Sequence, residues 1–437
     1  MSPEVAAQPL PRAESAISAV GLLNAYVPIF AIAFLVSLLA TPLVRRVAVA
    51  YGIIDRPDSV RKLHAFPIAY LGGVSIVAAV VAGIIASYVL DETLVTRFDP
   101  VPLSVLVGLL AIAFTGLADD VWGFDPRLKI AGQLVAAAAL AVQDVGVRVA
   151  VGLLGPVLGS AGDPLLEMGG FTIANGDLYY WVGTALVAIF VLGGCNAANF
   201  IDGLDGLLSG TVAIMSLGFL AIAITMALHD GGADPESLAG SRIVLCVALL
   251  GAVLGFLPYN FNPAVIFLGD CGSLSLGYLC AVLILMLGDE GKTHLVFAGL
   301  IVFSLPIMDA ALAILRRRLA GVSMATADTN HIHHQLKRSL GGVKRAVFAL
   351  YGIAATFSLI GFTLAWMVLE TLVRVRVIYA VAAVLFGFIA AFAIKAARRV
   401  QWQAGLAPMP GPSPRTGPAP AEPASKAGSA QANASLK

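Results

Sequence analysis

Asn196, Asn199, Asp202 and Asp205 fall within ten residues, between runs that are almost wholly apolar. A carboxylate left in hydrocarbon is costly unless water, a cation or a partner faces it. Four such polar groups together need a shared use, and their types suit a divalent cation and a phosphate. If Ile201 to Ser209 begins a helix, Asp202 and Asp205 share one face. Asn199 then lies near the helix N-terminus, where backbone N–H groups favour anions. Capping by Asn or Asp accounts for one or two of the four and leaves the others unexplained.

Other stretches carry similar chemistry. Asp119-Asp120 is a pair of adjacent carboxylates, held most readily where a cation or a protonation role offsets their repulsion. Gly269-Asp270-Cys-Gly272 flanks a hard oxygen donor suited to Mg²⁺ with glycines that permit a sharp turn. His331-Ile-His333-His334 gathers half of the chain's six histidines. No cysteine or second histidine cluster completes a zinc site, so donors for a diphosphate fit better than metal ligands. Lys62 and His64 lie in a basic loop where phosphate contact competes with ordinary solvation. Arg316-Arg317-Arg318 reads as topology and lipid anchoring.

The elements that must position these groups are membrane spans. The 437 residues are 59% hydrophobic and 12% charged, with mean hydropathy +0.90, far more apolar than soluble domains. Runs near 20–45, 70–90, 101–118, 130–147, 179–195, 206–228, 241–259, 273–288, 294–316, 346–369 and 375–397 are each long enough to cross hydrocarbon. The expected fold is all-α, a polytopic membrane protein of about eleven transmembrane helices. Its parts are an N-terminal segment 1–19, a transmembrane domain 20–397 and a disordered Pro/Ala-rich tail 398–437. The connection from Arg148 to Asp177 suggests a small hairpin. The four cysteines show no paired spacing and read as free thiols.

Most basic residues, among them Arg45, Arg46, Lys62, Lys129, the triple arginine, Lys337, Arg338 and Arg399, follow odd-numbered spans. By the positive-inside rule that face is cytoplasmic, the N-terminus is outside and the C-terminus cytoplasmic. Every polar motif lies on this same face. Carboxylates for a metal, bases for phosphate and an adjacent bilayer point to phosphoryl chemistry joining a water-soluble phosphate donor to a lipid acceptor. An ion-coupled secondary transporter would instead place its charges near the bilayer midplane in broken helices.

The ordered set Asp119-Asp120, then Asn196-x-x-Asn199-x-x-Asp202-Gly-x-Asp205-Gly-Leu207, then Phe267-x-Gly-Asp270-x-Gly-Ser273, then His331-x-His-His334 resembles the polyprenyl-phosphate N-acetylhexosamine-1-phosphate transferases. The resemblance spans roughly Asp55 to Leu336. It implies a cytoplasmic active site in the cell membrane and dependence on Mg²⁺, with Mn²⁺ as the alternative ion. It further implies transfer of a sugar 1-phosphate from a UDP-sugar to a polyprenyl phosphate, with release of UMP. By position, Asp270 is the implied main metal ligand and Asn199 a second. Asp119 and Asp120 are the implied catalytic pair, engaging the lipid phosphate or assisting the metal, without a decision on which acts as base. The implied substrate contacts are Lys129 at phosphate, Asn260 and Phe267 near uracil, Asp202 and Asp205 near ribose and nucleotide, Lys62 and His64 as a basic contact, and His331, His333 and His334. Asp309 fits a family pattern without an assigned role. The His-x-His-His form resembles the branch that uses UDP-N-acetylglucosamine. The branch using UDP-N-acetylmuramoyl-pentapeptide tends to three consecutive histidines, which Ile332 interrupts here. A homodimer is allowed by the sequence, and no nucleic acid is expected among the partners.

Overall fold

The structure, a computed structural model, describes residues 19–55, 67–90, 101–142, 144–168, 171–229, 238–319 and 331–406. Lys62, His64 and the tail beyond 406 lie outside them.

Long apolar runs leave the backbone only one way to satisfy its polar groups in hydrocarbon, which is the helix. The chain accordingly builds α1 (Ala19–Ala50), α2 (Gly72–Leu90), α3 (Leu103–Trp122), α4 (Pro126–Ala141), α5 (Val145–Leu158), α6 (Asn175–Ile201) and α7 (Leu207–His229). It continues with α8 (Ala239–Asn260), α9 (Gly269–Met286), α10 (Thr293–Val302), α11 (Ser304–Leu319), the short α12 (Ile332–Leu340), α13 (Val343–Leu369) and α14 (Arg376–Leu406). Among the described residues nine helices are long and apolar enough to cross a membrane, or eleven if each of two bent pairs is one span. The pairs are α4 with α5, bent by 76°, and α10 with α11, bent by 74°. These are the fourth and ninth spans expected from sequence. The break between α10 and α11 falls at Phe303, and Pro306 has no N–H to give the carbonyl of Val302.

Helix α9 is the axis of the bundle. Its apolar window is 94% buried, against 22% for α1 and α14 at the lipid-facing rim. Small residues make that position attainable. Gly73 of α2 lies against Gly272, Gly116 of α3 against Asp270 and Cys271, and Gly194 of α6 against Gly277, so three helices approach the α9 backbone closely. All four cysteines are buried and free.

Two small antiparallel pairs complete the fold. The strands β3 (Pro164–Met168) and β4 (Phe171–Ala174) form the hairpin expected between Arg148 and Asp177. The pair β1 (Ile54–Asp55) and β2 (Ile68–Ala69) was not foreseen; two residues per strand are too few to show an alternating pattern. Ala69 also bridges Ile266 in parallel, with Phe267 N donating to Ala69 O at 2.8 Å. The start of α2 is thereby fixed beside the start of α9.

Candidate active site

Asp119 and Asp120 occupy the last turn of α3, which ends at Gly123 in the left-handed conformation (φ 69°). Asp125 then caps α4, accepting from Arg127 N at 2.8 Å, with Pro126 in the first helical position. This sharp turn brings Lys129 back over the end of α3. Its ammonium lies 2.7 Å from Asp119 Oδ2 and also pairs with Asp270. Gln133, one turn on, is buried and accepts from Asn196 of α6 at 2.8 Å. The Lys-x-x-x-Gln spacing thus aims one residue into the site and uses the other to brace α4 on α6.

Asp120 is committed to α9. Its two oxygens accept from Asp270 N at 2.8 Å and Cys271 N at 3.0 Å, capping the helix N-terminus. The approach needs glycine at 269, where φ is +68° and a Cβ would lie 2.9 Å from the Asp120 carboxyl carbon. Asp119 is engaged too, accepting from Phe124 N at 2.8 Å. The Asp270 carboxylate receives Asn199 Nδ2 at 2.9 Å, and the same amide reaches Ser273 Oγ at 2.9 Å. Asp119, Asp120, Lys129, Asn199 and Asp270 therefore meet at one place, where the ends of α3 and α6 face the starts of α4 and α9.

The stretch around Asn199 is not the helix start expected from sequence. Asn199 lies in the last turn of α6, Asp202 is its C-cap residue, and α7 begins only at Leu207. Gly203 and Gly206, the latter at φ +74°, break the helix between them, so Asp202 and Asp205 lie in a loop and not on one helical face. Asp205 accepts from Asn262 Nδ2 at 2.8 Å and Ala264 N at 3.1 Å. Asn260 is buried, accepting from Ser209 Oγ at 2.8 Å and donating to Ile266 O at 3.0 Å. Both residues tie this loop to the connection between α8 and α9.

Asp202 is half-buried and, among the described residues, has no hydrogen bond. Burial first, and then the negative charges of Asp270, Asp120 and Asp205, push its carboxyl up to about 8. The folded protein then holds a proton that the unfolded chain, at about 3.9, releases. The stability this contributes is complete below about pH 4 and lost as pH rises toward 8. Asp202→Asn is expected to flatten that fall in the thermal midpoint, measured without divalent cations. An unchanged slope would place the carboxyl in the ordinary range.

Tyr70 is a residue the sequence did not single out. The strand contact at Ala69 sets its ring edge-on to Phe267, 5.9 Å between centroids. Burial, and then Asp120, Asp202 and Asp270, raise its phenol to about 12, so it remains a donor at neutral pH. The only advance signal was its place just before Gly72-Gly73.

The histidines form a separate cluster. His331 and His333 are buried beside Asp309, and the three place donor atoms within 4.8 Å of one another. Asp309 is thus the partner that the sequence alone could not supply to the histidines. His334 is half-buried, and burial, then the charges of His333, His331, Lys337 and Arg338, lower it to about 4. Arg316 and Arg317 correct the lipid-anchor expectation. Both are buried, and the Arg317 guanidinium stacks 5.3 Å over the Phe200 ring.

Among the described residues, Asp119, Asp120, Asp202 and Asp270 bring four carboxyls to the site against the one ammonium of Lys129. This excess of hard oxygen donors over cationic charge fits a divalent cation. The arrangement can gather anionic substrates around such an ion while holding its own groups rigid.

Comparison with known proteins identifies the family. The model of glycosyl transferase family 4 matches residues 102–288, which contain the carboxylates and Lys129. A probable undecaprenyl-phosphate N-acetylglucosaminyl 1-phosphate transferase of Bacillus subtilis is 32% identical over 75% of this chain and 83% of its own length. A decaprenyl-phosphate N-acetylglucosaminephosphotransferase of Mycolicibacterium smegmatis is 33% identical over 73% and 77%. A phospho-N-acetylmuramoyl-pentapeptide-transferase of Bacillus cytotoxicus is 29% identical over 76% and 94%. With relatives at 32% and 33% identity matched over 75% and 73% of the chain, this multi-pass membrane protein belongs to glycosyl transferase family 4.

Proposed function

We propose that the protein transfers N-acetylglucosamine 1-phosphate from UDP-N-acetylglucosamine to a polyprenyl phosphate such as undecaprenyl phosphate, releasing UMP. The product is the first lipid-linked intermediate of a cell-envelope glycan. The observation that carries this reading is the Lys129 ammonium held between Asp119 and Asp270 at the meeting of four helix ends. The names of the Bacillus and Mycolicibacterium relatives support the sugar and the lipid. The site faces the cytoplasm of the cell membrane, on the basic-residue pattern.

In this reading a lipid-phosphate oxygen attacks the β-phosphorus of the UDP-sugar, and the bond to the α-phosphate oxygen breaks as UMP leaves. Such transfers depend on positioning and charge stabilisation. Asp270, steadied by Asn199, would hold Mg²⁺, which would supply charge neutralisation for the diphosphate. Lys129 contacts phosphate. Asp120 has both oxygens on the α9 backbone, so its part is to fix Asp270 and not to act as base. Phe267 takes the uracil face. The Asp202–Asp205 loop lines the nucleotide side, with His334 as the more exposed member of its histidine cluster. Tyr70 donates its hydroxyl to a phosphate oxygen. Tyr70→Phe is expected to lower kcat/KM about tenfold while Tyr70→Leu, which also loses the contact with Phe267, lowers it further. Equal activity of Tyr70→Phe and wild type would leave the ring a packing role only.

The test is a panel of UDP-sugars supplied with undecaprenyl phosphate to purified protein, followed by extraction of lipid-linked product. UDP-N-acetylglucosamine should be used well above the others. Preference for UDP-N-acetylmuramoyl-pentapeptide, the activity suggested by the Bacillus cytotoxicus relative's name, would overturn the sugar assignment. Uptake by sealed vesicles with no lipid product would point to a transporter instead.

A further inference from the structure

Asp309 stands in the second turn of α11, 1% exposed, and is not one of the groups gathered around Lys129. Its Oδ1 accepts from Ile332 N at 2.8 Å, capping α12. Its Oδ2 lies 2.9 Å from His331 Nδ1 and 3.5 Å from His333 Nδ1. The two imidazoles stack with 15° between planes and centroids 5.2 Å apart, and both are buried. The column ends on the break between α6 and α7. His333 lies against Gly203, where a Cβ would stand 2.9 Å from its Cε1, with Nε2 nearer still. His331 lies 5.9 Å from the Phe200 ring. Phe200 and Gly203 bracket Asp202 on either side.

We propose that Asp309, His331 and His333 form a buried strut that fixes Asp202 from behind and so shapes the nucleotide-sugar side of the site. This rests on the assignment of Asp202 to the nucleotide given above. Asp309 acts through the histidines and is a positioning residue. A carboxylate is required because Oδ2, an acceptor only, takes the N–H of His331 Nδ1, while His333 Nδ1 lies 3.5 Å from the same oxygen without a hydrogen bond and is held by its stack on His331. Asparagine keeps the Oδ1 acceptor and caps a helix as well as aspartate. It replaces Oδ2 by a donor, which the His331 N–H cannot use.

This separates positioning from capping. In the full-length protein with UDP-N-acetylglucosamine and undecaprenyl phosphate, Asp309→Asn is expected to raise KM for the nucleotide sugar about tenfold and leave KM for the lipid unchanged. Gly203→Ala should do the same, by driving a methyl against His333. Gly203 is not in the left-handed region, so alanine brings no backbone strain. This variant carries the test if Asp309→Asn fails to fold. The strut is overturned if the folded variants leave both KM values unchanged, as a capping role requires, or raise both together. Asp202→Asn is the control on the underlying assignment. If it raises KM for the lipid instead, the nucleotide assignment fails, while the strut stands only if Asp309→Asn and Gly203→Ala follow the same substrate.

Discussion

Asp270→Asn is expected to lower the rate of lipid-linked sugar formation by about 10²–10³-fold, with the protein still folded and inserted. The side chain is the meeting point of the site, receiving Lys129 from α4 and Asn199 from α6. The cap on α9 uses the backbone N–H of residue 270 and not its carboxylate, so asparagine leaves that cap intact. It removes the charge that pairs with Lys129 and the hard oxygen proposed for Mg²⁺, and an amide is a weaker ligand for such an ion. The measurement is turnover of radiolabelled UDP-N-acetylglucosamine into extractable lipid across a Mg²⁺ titration. Loss that is recovered in part at high Mg²⁺ is the expected pattern. Full activity at all concentrations would remove Asp270 from the metal assignment.

Lys129→Met should lower kcat by about 10²-fold and at the same time tighten apparent Mg²⁺ binding. The two effects have one cause. The ammonium is the internal counter-charge to Asp119 and Asp270, and without it those carboxylates repel each other and favour an added cation more strongly. Lysine also supplies the donor proposed for phosphate, which methionine cannot. A residue serving only as a solvated positive-inside charge would show neither effect. Arginine is a poor substitute, because a planar fork does not fit where a compact ammonium bridges two carboxylates. Lys129→Arg should therefore stay well below wild type. Unchanged kcat in Lys129→Met would confine the residue to topology.

Much of the architecture was legible in the chain. About twenty apolar residues in a row in a bilayer leave little choice but a helix, and the eleven runs found by hydropathy coincide with the nine long helices and two bent pairs. The motif residues were legible because charge inside an apolar sequence is conspicuous. Their local geometry was less so. The break from 202 to 206 looked like a helix start, since Asn and Asp favour that position; Gly203 and Gly206 interrupt the helix there, and the bonds of Asp205 to the α8–α9 connection hold the loop. Tyr70 passed unnoticed because its value comes from two strand residues beside it and from Ile266, nearly two hundred positions away. Arg317 looked like an anchor until Phe200 lay beneath it.

The sequence by itself determined that this is a polytopic helical membrane protein with carboxylates, carboxamides, histidines and a lysine concentrated in a few loops. Composition and order settle that, because hydrophobic length and unscreened charge act locally along the chain. The tertiary structure alone decided how the groups divide their work. Asp120 caps α9, Asp270 faces Lys129, Asn260 and Asp205 tie down a loop, and Asp309 bonds His331. The physical reason is that a hydrogen bond or ion pair depends on separations of about 3 Å, and those are set by how closely glycine-lined helices approach α9, not by spacing along the sequence.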